Sequence, residues 1–271
     1  MAVVNVTPDS FFDGGRWATP DAARRRVDEV LAEGADIVDL GGESTRPGAP
    51  PVPPAAQWER VETALRHAVA RGALVSIDTT SPEVAARALG AGARIVNDVS
   101  CLADVELARV AARAGAVLLL MHSRGTMEAM RGFSAVPEEA YTDVVGEVLS
   151  EWRAARARAV EAGMPPAHVW LDPGLGFHKS ARHSLQLVAR SAELARAGAR
   201  LAIGPSRKSF IDAVDPAAPA ERLGGTIAAC VLAVAGGASV VRVHDVQPVR
   251  QALRLAWAAR PARAENGGPS A

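Results

Sequence analysis

Short apolar runs alternate with longer stretches rich in Ala, Arg and Glu along the whole chain. The runs occupy 3–6, 37–40, 74–77, 94–96, 117–121, 169–171, 201–203 and 240–243. Each is short and almost continuously apolar, which is the pattern of strands covered on both faces. Between them the apolar positions follow helical spacing, over 21–33, 55–71, 82–89, 104–113, 137–162, 184–197, 220–237 and 249–259. Thr19-Pro20 and Ser81-Pro82 place a capping hydroxyl before a proline in the first turn, so two of these helices have legible starts. Eight strands alternating with eight helices predict a single (β/α)8 TIM barrel, with its active site at the C-terminal ends of the strands. An open doubly wound sheet is the alternative, but no G-x-G-x-x-G follows the first strand.

The barrel is expected to span 1–260, followed by a Pro/Gly/Ser-rich tail over 261–271 that reads as disordered. Strand one begins at once. Either side chains plug the bottom of the barrel, or the natural chain starts earlier.

Composition narrows the function. Lys and Arg number 30 and Asp and Glu 30, so net charge is near zero and no basic tract is long enough to follow a nucleic acid. The sequence shows no basic leader and no apolar run long enough for a membrane span. Cys101 and Cys230 have no metal-ligand spacing. A soluble protein of the cytoplasm, with no nucleic-acid or membrane partner, is the natural expectation.

The candidate chemistry stands at the strand ends. Asn5 interrupts the first apolar strand and precedes a glycine-hinged loop that carries Asp13. After strand two, paired glycines precede Thr45 and Arg46, a hydroxyl and a fork of donors suited to carboxylate or phosphate. Strand three ends in Asp78, strand four in Asn97, strand five in Met121-His122 and strand six in Asp172-Pro173-Gly174. Each alone also reads as an ordinary turn or cap. Jointly, Asp78, Asn97 and Asp172, with Lys208 from strand seven, can hold a flat heterocycle with an amidine-like edge, because a carboxylate accepts two parallel N–H bonds. The stretch 206–209 (SRKS), in isolation, is also a solvated basic turn. On strand eight, alternation sets Arg242 and His244 on one face. With Asn5 and Arg46 they form a candidate anion pocket, provided strands one and eight are neighbours.

These segments together resemble the dihydropteroate synthase family. They are 5–11 (NVTPDSF), 41–48 (GGESTRPG), 77–79 (IDT), 97–99 (NDV), 121–122 (MH), 172–179 (DPGLGFHK), 206–210 (SRKSF), 222–225 (RLGG) and 242–245 (RVHD), in order from the first strand to the eighth. The resemblance implies a barrel, usually a homodimer, that joins 4-aminobenzoate to a dihydropterin methyl diphosphate and releases diphosphate. It implies pterin binding by Asp78, Asn97, Met121, Asp172, Phe177, Gly204 and Lys208. Diphosphate falls to Asn5, Thr45, Arg46, Arg242 and His244, and Mg²⁺ to Asn5. Phe11, Pro47 and Ser209 shape the aminobenzoate pocket, and Asp13, Lys208 and Arg46 carry the catalytic roles. The chain departs from the family pattern at Thr80-Ser81-Pro82, Met127, His178, Ser184 and Pro205. The runner-up is a pterin-binding module that serves a methyltransferase, which needs neither Asn5, nor the Arg242/His244 pocket, nor 206–209.

Overall fold

The computed structural model describes residues 1–7, 19–44, 48–126, 128–130 and 132–259. Asp13, Phe11, Thr45, Arg46, Pro47, Met127 and the tail 261–271 lie outside the described residues.

Six parallel strands pair in chain order: β1 (Ala2–Asn5), β2 (Ile37–Gly41), β3 (Leu74–Asp78), β4 (Ile95–Asp98), β5 (Val117–Met121) and β6 (Val169–Asp172). Two shorter strands, β7 (Ala202–Ile203) and β8 (Val240–Val241), pair with each other. Single parallel bridges then complete the ring, Leu171 with Leu201 and Ala2 with Val243. Val3 N–H donates to Val243 O at 2.9 Å, and Val243 N–H to Met1 O at 3.0 Å. Strands one and eight are therefore neighbours, and the expected barrel closes.

Alternation sorts each strand into two sets. Val4, Val38, Leu40, Val75, Ile77, Val96, Leu118, Leu120, Leu171 and Ile203 face outward into one continuous core shared with the helices. The intervening residues face the barrel axis. Near the N-terminal ends, Met1, Ile37, Ile95, Leu119, Trp170 and Ala202 form a separate apolar cluster. Side chains thus plug the bottom, and the Arg200 guanidinium lies 5.4 Å from the Trp170 ring. Higher up, the inward positions turn polar: Asp39, Ser76, Asp78, Asn97, Asp172 and Arg242. Parallel pairing in register sets Asp39 beside Ser76, Asp78 beside Asn97, and Met121 beside Asp172.

The helices around the barrel are α1 (Pro20–Ala32), α2 (Pro54–Ala70), α3 (Pro82–Gly90), α4 (Val105–Arg113), α5 (Val144–Glu161), α6 (Ala181–Ala189), α7 (Ser191–Ala195), α8 (Ser209–Asp212), α9 (Leu223–Ala235) and α10 (Val246–Ala258). Thr19 and Ser81 cap α1 and α3 as expected. Three expectations shift. The stretch 137–162 divides into a 3₁₀ turn and α5, because Asp143 caps Gly146 N–H and starts the helix there. The stretch 184–197 starts three residues earlier and breaks at Arg190. Its start is a reciprocal cap, with Ser180 Oγ accepting from His183 N–H and His183 Nδ1 accepting from Ser180 N–H. A histidine in that role is not the usual Glu or Gln. The stretch 220–237 likewise divides, into a 3₁₀ turn at Pro219–Glu221 and α9.

Removing the largest plug should be costly. Trp170→Ala is expected to lower unfolding free energy by about 3–5 kcal/mol, the usual range for emptying a buried tryptophan site. Urea denaturation, with circular dichroism to show that the fold persists, measures it.

Candidate functional site

The mouth of the barrel is held by one guanidinium. Arg242 follows β8, and its Nε donates to Asp39 Oδ2 at 2.6 Å while Nη2 donates to Asp78 Oδ2 at 2.6 Å. Asn97 Nδ2 donates to the same Asp39 oxygen at 3.2 Å. Burial pushes the Asp78 carboxyl up to about 7, with the Arg242 charge working against that rise. For Arg242, burial opposes its charge, but the two carboxylates more than reverse this and hold it above its ordinary value. Asp39, fully buried, is a member of this cluster that the motif reading passed over. An acid in the middle of a strand covered on both faces was the available signal, the same one that singled out Asn5.

The opposite wall is the turn after β6. Gly174 has φ +66°, and a Cβ there would lie 2.1 Å from His122 O, so only glycine fits. The turn folds back so that Gly174 N–H donates to Asp172 Oδ1 at 2.8 Å. Burial raises the Asp172 carboxyl, and the Lys208 charge opposes this. Lys208 Nζ donates to Leu175 O at 2.7 Å and stands 4.7 Å from the Phe177 ring centroid. Burial brings its ammonium down to about 8. A Cβ on Gly204 would lie 3.8 Å from both Lys208 Nζ and Arg242 Cβ, so this glycine lies between the two cations. Met121, Phe177, Val99 and Met130 pack as a small apolar cluster with Phe133, whose ring meets Phe177 edge-on at 5.3 Å. The structure thus brings Asp78, Asn97, Met121, Asp172, Phe177, Gly204, Lys208 and Arg242 around one cavity mouth.

Two departures from the family pattern acquire local accounts. His178 is left-handed, with φ +48°, where the family has glycine, and its ring Nδ1 lies 2.9 Å from Ser123 Oγ. Ser184 stands where asparagine is frequent, and its hydroxyl accepts from Gly176 N–H at 3.0 Å while donating to Ser180 O at 3.1 Å.

The stretch 206–209 divides its work. Arg207, itself left-handed, forms a two-pronged ion pair with Asp245, both contacts 2.8 Å, and donates to Pro219 O at 2.9 Å. It ties the turn after β7 to the segment that follows β8 and to the 3₁₀ turn before α9. Ser206 Oγ contacts His244 Nδ1 at 2.9 Å and accepts His244 N–H at 3.2 Å. Burial, reinforced by Arg242, brings the His244 ring down to about 3. Ser209 Oγ donates to Ser134 Oγ at 2.9 Å, which ties it to the loop after β5.

Asn5 ends β1 in register with Gly41, and a Cβ on Gly41 would lie 3.4 Å from its Oδ1. Among the described residues, no group of three or more His, Cys, Asp or Glu side chains has metal-binding geometry. One neutral oxygen at the pocket rim suits a Mg²⁺ that takes most of its ligands from substrate and water, rather than a closed metal site. The base of the following loop is fixed: Glu43 Oε1 accepts Val52 N–H at 2.7 Å, Glu43 Oε2 accepts from Gln57 Nε2 at 3.2 Å, and Thr79 Oγ1 donates to Gln57 Oε1 at 2.9 Å. A Cβ on Gly42 would come within 2.5 Å of Gln57 O, so that glycine is what lets the loop approach α2. No described helix is long and apolar enough to cross a membrane.

His122 supplies a pH test. Its Nδ1 accepts from Lys179 Nζ at 2.9 Å and its Nε2 lies 2.9 Å from Glu151 Oε2, so the ring is neutral with its proton on Nε2. Burial, with the neighbouring Lys179 charge, brings it down to about 3. Between pH 3 and the ordinary value of 6.5, the unfolded chain binds a proton there and the folded one does not. Stability from this group is therefore complete above 6.5 and falls as pH drops, by at most about 1.4 kcal/mol per pH unit. His122→Gln should show a shallower loss of Tm than the parent between roughly pH 6.5 and 4.5. Nitrogen NMR of the ring should find it neutral throughout that range.

The comparisons with known proteins agree with this geometry. The profile of the pterin-binding enzyme family matches residues 1–244. The dihydropteroate synthase of Synechocystis sp. is 41% identical over 261 residues, covering 94% of this chain and 88% of its own. The Yersinia pestis dihydropteroate synthase, whose structure is a complex with a sulfonamide drug, superposes with TM-score 0.90 at 34% identity, covering 97% of this chain and 94% of that one. The Thermus thermophilus enzyme, solved with 4-aminobenzoate, gives TM-score 0.84 at 38% identity over 96% and 93%. The chain belongs to the dihydropteroate synthase family of pterin-binding enzymes.

Proposed function

We propose that this chain condenses a (7,8-dihydropterin-6-yl)methyl diphosphate with 4-aminobenzoate, giving 7,8-dihydropteroate and diphosphate. The observation that carries the reading is the ring of acceptors and donors at the barrel mouth: buried Asp78, Asn97 and Asp172, with half-buried Lys208 and Arg242 among them. Asp172 faces the amidine-like edge of the pterin as a bidentate acceptor. Asn97 and Asp78 serve its remaining ring nitrogens, and Lys208 a ring acceptor. Met121 and Phe177 form the apolar slot for the ring faces.

Diphosphate binding falls to Asn5, Arg242 and His244, and the family resemblance assigns Thr45 and Arg46 the same role. Neither bond from Arg242 to the carboxylates uses Nη1, so that donor is left for an oxyanion. Ser206 Oγ accepts the His244 backbone N–H and lies against Nδ1 of the neutral ring; when the hydroxyl donates to Nδ1, the ring proton is on Nε2. It then meets phosphate as a donor without a second buried charge. Asn5 would contribute an oxygen to a Mg²⁺, and the charge that such an ion supplies would favour the departing diphosphate. The carbon–oxygen bond breaks with its electron pair leaving on diphosphate, and positive charge spreads into the pterin ring. The family resemblance assigns Asp13 to stabilising that charge. The amine lone pair of 4-aminobenzoate forms the new carbon–nitrogen bond and the amine loses a proton. Its nucleophilicity is intrinsic, so positioning by Phe11, Pro47 and Ser209 is the larger requirement. Arg46 and Lys208 complete the electrostatic field.

The test is turnover of the pterin diphosphate plus 4-aminobenzoate. Asp172→Asn and Lys208→Ala should each cut kcat/KM by about a hundredfold or more in folded protein. EDTA should stop the reaction and Mg²⁺ restore it. Diphosphate release without coupled product would refute the synthase reading and favour another pterin-binding activity.

The dimer is part of the same proposal. Between α6, α8 and α9 runs an apolar groove of about 340 Å³. Its rim exposes Leu185, Val214 and Leu232, at 39%, 66% and 59%. A second copy covering that face would remove this apolar surface from water. Leu232→Glu should then give a monomer by light scattering, whereas a parent protein that is already monomeric would rule the dimer out.

A further inference from the structure

Lys179 is a fully buried ammonium that the reading above does not use. None of its described hydrogen bonds goes to a carboxylate. Nζ reaches His122 Nδ1 at 2.9 Å, His122 O at 3.2 Å and Phe177 O at 3.1 Å. A lysine buried on neutral acceptors alone is expensive, and a Leu or Met of similar volume would avoid the cost. Its partners explain its position. His122 directly follows Met121 at the end of β5, and Phe177 lies in the turn after β6. Lys179 therefore fastens together the two apolar walls of the slot from behind. His122 passes the tie on to Glu151 of α5, which Arg124 holds through Nε at 3.0 Å while its Nη2 reaches Glu147 at 2.7 Å.

We propose that Lys179 is a positioning residue for the pterin: it ties His122 to the Phe177 carbonyl and so sets the spacing of Met121 and Phe177. This rests on the pterin-slot reading given above. The charged and titratable groups facing Lys179 are Asp172, Lys208, Arg124, His122, His178 and Cys101, with the Tyr141 ring centroid 5.9 Å from Nζ. Burial brings the Lys179 ammonium down to about 7, with the Asp172 charge opposing this, so on the acid side of that value the lysine is charged and favours ionised Asp172, the group assigned to the substrate. A scaffold lysine would affect both substrates alike. A slot lysine affects the pterin.

Lys179→Met keeps the length and removes charge and donors. With the full chain, KM for the pterin diphosphate should rise about tenfold, the equivalent of roughly 1.4 kcal/mol, while KM for 4-aminobenzoate stays within about twofold. The acid limb of kcat/KM for the pterin substrate should move to higher pH, because Asp172 loses a favourable neighbour. Fluorescence titration with 6-hydroxymethylpterin, which has no diphosphate, should show the same loss of affinity. A parent protein that binds no pterin in that titration fails the slot reading itself. A parent that binds it, paired with a variant of unchanged pterin affinity, overturns the role of Lys179 alone. Equal rises in both KM values, with an unmoved pH limb, also overturn it and leave a structural lysine. Should Lys179→Met not fold, His122→Gln removes one of the three ties, and a pterin-selective rise of about threefold is then required.

Discussion

A guanidinium between two buried carboxylates lies where the barrel closes. Arg242 arrives from the last strand, while Asp39 and Asp78 come from the second and third. These residues can meet only if the first strand lies beside the eighth. The closing bridge between Ala2 and Val243 and the site are therefore one constraint seen from two ends. An isolated arginine, or either aspartate alone, would be costly at this depth. Together they offset each other's loss of water, while only two of the arginine's five N–H donors are committed.

That constraint divides the barrel interior. Below it, side chains fill the axis with hydrocarbon and close the bottom. Above it, the inward positions present hydrogen-bonding groups upward. The register places the polar residues of neighbouring strands at one level, so recognition groups from several strands share a plane. A flat heterocycle is the shape that such a plane can satisfy. Rigid strand ends rather than loops hold most of it, which fixes the acceptors before substrate arrives.

Much of this was readable in the sequence. Continuous apolar runs signalled strands covered on both faces, and polar residues at their ends marked the site. What escaped has physical causes. Asp39 carries no turn or motif signal, because its significance is a partner more than 200 residues away. Ser180 begins a helix through a histidine cap that composition does not advertise. The break at Arg190 separates two helices within one amphipathic stretch, and periodicity carries through it. Lys179 was visible as a letter in a motif, yet its burial depends on the path of the turn after β6, which Gly174 sets through its contact with His122 O. The expectations for Asp13, Phe11, Thr45, Arg46 and Pro47 concern residues outside those described.

Charge balance explains why the substrate must straddle two environments. Around the slot stand three acids, Asp39, Asp78 and Asp172, and three bases, Lys179, Lys208 and Arg242. Such a set is close to neutral, and burial pulls Asp78 and Lys208 toward their uncharged forms. A neutral pterin can enter without upsetting it. A diphosphate cannot, since its negative charge would find no uncommitted cation at that depth. On the proposed reading it stays at the rim, where Asn5 ends the first strand and the Nη1 group of Arg242 takes no part in the carboxylate bonds. Neutral His244 can join it there as a donor, so the leaving group meets hydrogen bonds while the pterin stays among balanced charges.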